Sequence, residues 1–185
     1  DSFNAINNSL DCIEVNEEDI DWATENWTYE NGNIDEGVEF SVVCSVPEGY
    51  TYVPDNNFEQ ALVDLGYDSA VDDLVLTENI NGVTTLNIDS LSISDLTGIE
   101  DFTSLSNLDC SYNSLDTLDV SSNTSLTDLL CNDNQLTSLD VSNHTALTKL
   151  DCGSNSLTSL DISNNTGLTY LDCNGNSLTS LDISN

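Results

Sequence analysis

The sequence has no arginine, one lysine (Lys149) and one histidine (His144), set against 34 aspartate and glutamate residues, for a formal net charge of -33. Without a basic patch, nucleic acid and anionic membrane surfaces are excluded as partners, because binding either one needs many Lys or Arg side chains to displace counterions. The same scarcity removes the parts that most acid–base and phosphate chemistry requires. A carboxylate pair could cleave glycosides, but nothing singles out one pair among so many acids, so no enzyme is expected. No apolar stretch approaches the roughly 18 residues of a membrane-spanning helix. No leader peptide opens the chain, which reads as beginning inside a repeat. Cations and positively charged surfaces remain as partners. Acidity of this degree usually accompanies disorder, yet 38% of the residues are apolar and recur at fixed spacing, so a packed core is expected.

What is present is a period. Cys110, Cys131, Cys152 and Cys173 lie 21 residues apart. Leu105, Leu126, Leu147 and Leu168 keep the same spacing, as do Leu108, Leu129, Leu150 and Leu171, then Leu115, Leu136, Leu157 and Leu178, then Leu118, Leu139, Leu160 and Leu181. Asn113, Asn134, Asn155 and Asn176 form an asparagine column, and Val120, Val141, Ile162 and Ile183 complete the unit. The pattern L-x-x-L-x-C-x-x-N-x-L-x-x-L-x-[VI] resembles the leucine-rich repeat in length and in the position of its asparagine. The fold this implies is a β-rich α/β solenoid with 21–22-residue coils, a parallel β-strand ladder and a short capping helix. Each coil sets one short strand about 4.8 Å from the next, and no coil can bury its own apolar face. The asparagines turn inward to satisfy backbone groups of their own and adjacent coils.

An irregular coil precedes these. Leu86, Ile88, Ile93, Leu96, Ile99 and Phe102 keep the apolar spacing, while Leu91 stands in place of the asparagine. The segment LSISDLTGIEDFTSL resembles the 22-residue repeats of internalin-like proteins. Before it, PDNNFEQALVDLGYD reads as a short helix, with Asp55 or Asn56 as cap, Phe58 and Leu62 on one face and Gly66 at its end. Such a helix suits the amino-terminal cap of a solenoid.

Phe3, Ala5, Asn8, Leu10, Ile13 and Val15 fit one more coil, aligned with Leu171, Cys173, Asn176, Leu178, Leu181 and Ile183. The acidic stretch WATENWTYENGNIDEGVEFSVVC that follows resembles the carboxy-terminal cap of bacterial leucine-rich-repeat proteins, especially those of marine flavobacteria. In that resemblance Cys12 and Cys44 match two cap cysteines, which implies a disulfide between them and an oxidising, extracellular setting. The chain thus divides into a last coil and carboxy-terminal cap at residues 1–46, a link near Ser45 to Thr51 and an amino-terminal cap within 47–85, and open-ended coils over 86–185.

The column cysteines occupy positions where the repeat wants a buried leucine. They read as small core hydrophobes with free thiols, since identical stacked side chains point in parallel. His144 shares its position with Asn123 and Asn165 and reads as a solvated loop residue. Two acidic columns, Asp119, Asp140, Asp161 and Asp182, and Asp109, Asp151 and Asp172 with Leu130 interrupting, alternate with core residues and are read as outward strand positions. Their mutual repulsion would be relieved by shared cations, Ca²⁺ being the candidate for carboxylate rows. Glu17, Glu18, Asp19 and Asp21 form a second acidic group. Asn7, Asn26, Asn123, Asn143 and Asn164 open Asn-x-Ser/Thr sequons. The sites Asp68-Ser69-Ala70, Asp89-Ser90-Leu91 and Asp116-Thr117-Leu118 resemble the short O-glycosylation motif of Bacteroidetes, making Ser69, Ser90 and Thr117 candidates for a sugar.

The function expected is an extracellular structural or adhesive module at the cell surface, a unit of a fibre or large surface protein assembling head to tail. The alternative is a carbohydrate- or protein-binding receptor domain. Outward strand positions read as Asp109, Ser111, Leu130, Asn132, Asp151, Gly153, Asp172 and Asn174 hold no aromatic residue, which disfavours a sugar-stacking platform.

Overall fold

The computed structural model of the chain describes residues 12–14, 20–28, 39–41 and 46–181, and the chain divides into two compact units, Asp1–Pro47 and Glu48–Asn185. In the first unit, strand β1 (Cys12–Glu14) pairs in parallel with β2 (Glu39–Ser41), Ile13 opposite Phe40, and helix α1 (Ile20–Asn26) lies between them in sequence with Ala23 buried. The side chain of Cys12, Cys44, and the acidic group Glu17, Glu18, Asp19 and Asp21 fall outside what is described.

The second unit opens with a cap. Strand β3 (Tyr50–Tyr52) pairs antiparallel with β4 (Leu74–Leu76), and between them runs α2 (Asn56–Asp64). The link expected up to Thr51 is therefore shorter, because Tyr50 and Thr51 already belong to β3, where the Thr51 hydroxyl donates to Asp101 Oδ2 at 2.5 Å. Helix α2 forms as its sequence requires. Asp55 Oδ1 accepts from the orphan amides of Asn57 (2.9 Å) and Phe58 (3.0 Å), and Phe58 and Leu62 bury the same face. Gly66 then takes the left-handed turn at φ 80° that ends it. The other oxygen of Asp55 accepts from Ser94 N and Oγ and from Asp95 N, which fastens the cap to the first coil. Burial raises the Asp55 pKa, but these hydrogen bonds from Ser94, Phe58 and Asp95 outweigh it and hold the carboxyl below its ordinary value. Phe58 meets Phe102 of the first coil at 6.3 Å between ring centroids. A single turn, α3 (Thr77–Ile80), leads into the coils.

Five parallel strands follow in sequence order: β5 (Thr85–Asn87), β6 (Asn107–Asp109), β7 (Asp128–Leu130), β8 (Lys149–Asp151) and β9 (Tyr170–Asp172). The register is set by one leucine per coil, Leu86, Leu108, Leu129, Leu150 and Leu171 standing side by side. A one-residue slip would turn each of these leucines to solvent, forfeiting roughly 1.5–3 kcal/mol apiece. The core runs without a break from Phe58 and Leu62 in the cap through Cys110, Cys131 and Cys152 to Leu157 and Ile162.

Each coil turns sharply three residues after its strand. Ser90, Tyr112, Asp133, Ser154 and Gly175 hold that turn at positive φ, between 51° and 65°. Four of the five are not glycine, and a left-handed conformation costs a residue with a Cβ about 1–2 kcal/mol. The asparagine column makes the turn affordable. Asn134 Nδ2 donates to Cys110 O (3.0 Å) of the preceding coil and to Cys131 O (3.2 Å) of its own, while its Oδ1 accepts from Leu115 N at 3.0 Å. Asn113, Asn155 and Asn176 repeat the arrangement. Leu91, in the first coil, is 41% exposed and does not turn inward. Its place lies over the cap, where no earlier coil offers carbonyls for an amide to bridge.

Candidate functional site

In a strand whose central residue faces the core, the two flanking residues face out. Five strands in register therefore build two outward rows. One is Thr85, Asn107, Asp128, Lys149 and Tyr170; the other is Asn87, Asp109, Leu130, Asp151 and Asp172. Asn107 Nδ2 donates to Asp128 Oδ2 across one strand gap, and the lone lysine places its Nζ 5.4 Å from the ring centre of Tyr170 across another. Tyr170 is 45% exposed. An aromatic side chain thus stands on the strand face, contrary to the reading from sequence. That reading placed the strand two residues late and counted Ser111 and its equivalents in place of Asn107, Asp128, Lys149 and Tyr170.

The first aspartate row lies on this face. Asp109 Oδ1 accepts from Ser111 N and Oγ, Asp151 Oδ1 from Gly153 N at 3.2 Å, and Asp172 Oδ1 from Asn174 N at 3.0 Å. Each carboxylate thereby fixes the backbone as it leaves the strand. Partial burial, with the neighbouring charge of Asp172, raises the Asp151 pKa even though Gly153 N and Lys149 work against it. The charge of Asp151 in turn raises the Tyr170 hydroxyl.

The second row is corrected. Asp119, Asp140 and Asp161 lie outside the strands, in exposed backbone, and Asp182 is outside the described residues. Their Oδ1 atoms accept from Ser121 N, Ser142 N and Ser163 N, each at 2.9 Å, closing the turn two residues on. Those hydrogen bonds lower the pKa of Asp119, through Ser121, and of Asp140, through Ser142. Between the first two coils Asp119 also borders a groove of about 420 Å³ together with Asp95, Thr97, Glu100, Thr117 and Ser121. Among the described residues neither row brings three carboxylates together. Among the described residues the one group that does so is Glu59, Asp68 and Asp72, in the cap.

His144 is also corrected. It is 1% exposed, and its Nε2 lies 3.0 Å from Val120 O in the preceding coil. Asn123 donates to Ile99 O (2.8 Å) and Phe102 O (3.1 Å), and Asn165 to Val141 O (3.0 Å) and His144 O (2.8 Å). These three side chains make a second inward polar column, opposite in the coil to the first. The signal was in the sequence: three side chains able to donate, recurring every 21 residues, among variable Ser and Thr. Asn123 is buried, so its sequon is closed to a glycan, whereas Asn143 and Asn164 are exposed. Ser69, Ser90 and Thr117 are exposed as well.

Cys110, Cys131 and Cys152 are buried free thiols, and Cys173 is a partly exposed one. Burial, with the charge of Asp109, pushes the Cys110 thiol up to about 12, and burial, with Cys173 and Asp151, pushes Cys152 to about 12. Little thiolate is available near neutral pH, so these are packing groups and poor nucleophiles.

No family model matches the chain. Internalin J of Listeria monocytogenes serotype 4b is 36% identical over 72 residues, which is 39% of this chain and 8% of that protein. Among solved structures, the functional domain of InlJ from Listeria monocytogenes, described as including a cysteine ladder, is 41% identical with a TM-score of 0.68, over 76% of this chain and 32% of that one. An internalin, InlF, from the same species shares the fold at 23% identity with a TM-score of 0.56, over 70% of this chain and 46% of that one. The chain spans about a third of the InlJ chain it matches.

Proposed function

We propose that this chain is an extracellular or cell-surface recognition and structural module that binds through the outward face of β5–β9, and that it is not a catalyst. The observation that carries the proposal is the strand face. The core takes only the central residue of each strand, which leaves two rows of side chains free on a rigid ladder, with Lys149 set against Tyr170 amid carboxylates. The likeness to InlJ supports a functional role for the coils, since the matched region belongs to what is described as that protein's functional domain. The partner is a protein or glycan surface that complements an acidic face. Exposed Tyr170, flanked by Asp151 and Asp172, favours a glycan more than the sequence reading allowed, because an aromatic ring can stack on a sugar while carboxylates accept its hydroxyls.

The finer part of the proposal concerns assembly. Phe3 to Val15 carry the coil pattern of residues 171–183, so successive units can continue one solenoid head to tail, within one polypeptide or between copies. Contacts of that kind do not close on themselves and give filaments. The Cys12–Cys44 disulfide, the flavobacterial type of cap, and sugars on Ser69, Ser90 and Thr117 belong to the same extracellular reading. The test is to probe arrays of glycans and cell-surface proteins with the wild-type chain and with a Lys149→Ala/Tyr170→Ala double variant. A partner of the strand face is expected to lose about tenfold or more in affinity. Equal binding by both places the site elsewhere. Sedimentation velocity over a range of concentrations tests assembly: a single species throughout removes head-to-tail association between copies.

A further inference from the structure

The loop from Tyr67 to Asp73 returns from α2 to β4 and carries three aspartates, Asp68, Asp72 and Asp73. It passes over Glu59, which projects from α2 and is 0% exposed. Glu59 Oε1 accepts from Asp72 N and Leu74 N, both at 3.0 Å. Its other oxygen, Oε2, is fully enclosed and has no hydrogen-bond partner, and neither has the enclosed Oδ2 of Asp68. One carboxylate oxygen from each of Glu59, Asp68 and Asp72 lies within 4.8 Å of the others.

Enclosed carboxylate oxygens without donors require a positive charge or a proton. The protein has no arginine to supply the charge, and its single lysine stands on β8 against Tyr170. Oxygens this close to one another match the spread of ligands around a hard cation, since Ca²⁺ holds carboxylate oxygens at about 2.3–2.6 Å and completes its shell with water. Asp72 is exposed, so the group opens to solvent on one side and a hydrated ion can enter there. We propose that Glu59, Asp68 and Asp72 form a Ca²⁺ site that pins the return loop to α2 and so closes the cap over the first coil. The site is distinct from both aspartate rows of the coils.

The test is thermal unfolding of the whole chain in millimolar CaCl₂ against NaCl at matched ionic strength, with calorimetric titration of Ca²⁺ alone. Binding to the folded state only is expected to raise the melting temperature by about 4 °C or more over NaCl. Asp68→Asn and Asp72→Asn are expected to abolish that excess, while Asp140→Asn keeps it. Glu59→Gln retains the acceptor for the two backbone amides and replaces one charge of the enclosed group by a neutral amide. It is expected to melt higher than wild type without calcium and to ignore calcium, which shows a folded variant with the site removed. A wild-type response no larger than that to NaCl overturns the proposal, and so does one that survives Asp68→Asn and Asp72→Asn. A calcium-blind protein whose gain in stability as the pH falls is smaller in Glu59→Gln would show that the group holds a proton instead. Burial, the chief cause, raises the Glu59 pKa, with the charges of Asp73 and Asp72 adding to it against backbone hydrogen bonds. An acid raised in this way contributes most at low pH, and its contribution is lost as pH rises through the folded value.

Discussion

Replacing Asn155 by alanine is a direct test of how one coil holds the next. Asn155 Nδ2 donates to Cys131 O (3.0 Å) in the coil before, to Cys152 O (3.1 Å) and to Gly153 O (3.2 Å), and its Oδ1 accepts from Leu136 N at 2.9 Å. Gly153 O keeps Asp133 N at 3.0 Å, Cys131 O keeps Asn134 Nδ2 at 3.2 Å and Cys152 O keeps Asn176 Nδ2 at 2.9 Å, so Leu136 N is the group that the truncation leaves unpaired. A buried group left unpaired costs about 1–3 kcal/mol. The site is near the edge of burial, at 9% exposure, and water can reach it once the side chain is gone, so the low end applies. The unpaired amide, with one of two donors withdrawn from Cys131 O and from Cys152 O, gives a loss of about 1–2 kcal/mol, or about 2–8 °C in melting temperature for a chain of this size. Denaturant unfolding measures the total, and amide exchange locates it: Leu136 N should exchange far faster, while Leu115 N, held by Asn134, should keep its protection. Asn155→Asp should cost at least as much, because a carboxylate can accept from Leu136 N but sets a charged oxygen against the carbonyls of Cys131, Cys152 and Gly153, to which it cannot donate. A loss below about 0.5 kcal/mol, or unchanged protection at Leu136, would refute the bridging role.

Three further outcomes are expected. Gly98 sits at φ 101°, and an added Cβ would meet Tyr52 O at 2.7 Å and Val53 Cγ2 at 2.9 Å, so Gly98→Ala should cost about 2–4 kcal/mol in chemical unfolding; a cost near zero would show that the cap is not pressed against the first coil. Cys152→Ser should cost about 1–3 kcal/mol, and Cys110→Ser less, because the Cys110 thiol already donates to Leu130 O at 3.5 Å; in thiol titration of the folded chain Cys173 should react ahead of Cys110, Cys131 and Cys152, and ready labelling of Cys152 would contradict its burial. His144→Asn should be neutral or stabilise by up to about 1 kcal/mol, since Asn165 in the same place makes two carbonyl contacts where His144 makes one; a loss above that size would mean the ring's own packing matters more than the hydrogen bond.

The repeat was legible because a solenoid repeats its environment. Every coil asks the same thing of the same position, so Leu108, Leu129, Leu150 and Leu171 announce one register, and the asparagine column announces one bridging amide. The capping helix was legible for a local reason: Asp55 and Gly66 act on the backbone within a few residues of themselves. Sequence was weaker wherever the answer depended on which way a short segment faced. Three-residue strands are too brief for alternation to fix their limits, which is why Lys149 and Tyr170 were missed on the outward face and Asp119 was assigned to a strand.

What the sequence determined by itself was the coil length, the leucine and cysteine columns of the core, the asparagine bridge and the cap helix. All of these follow from spacing and short-range chemistry. What only the tertiary structure decided was pairing between distant or unlike positions. His144 became a core residue because Val120 O lies beside it one coil earlier. Ser90, Tyr112, Asp133 and Ser154 entered a left-handed turn that their side chains do not favour, because neighbouring asparagines anchor it. Glu59 met Asp68 and Asp72 only because the return loop folds over α2. A period can be read along the chain, but an electrostatic neighbour brought in by folding cannot, since Coulomb and hydrogen-bond energies depend on distance in space and not on separation in sequence.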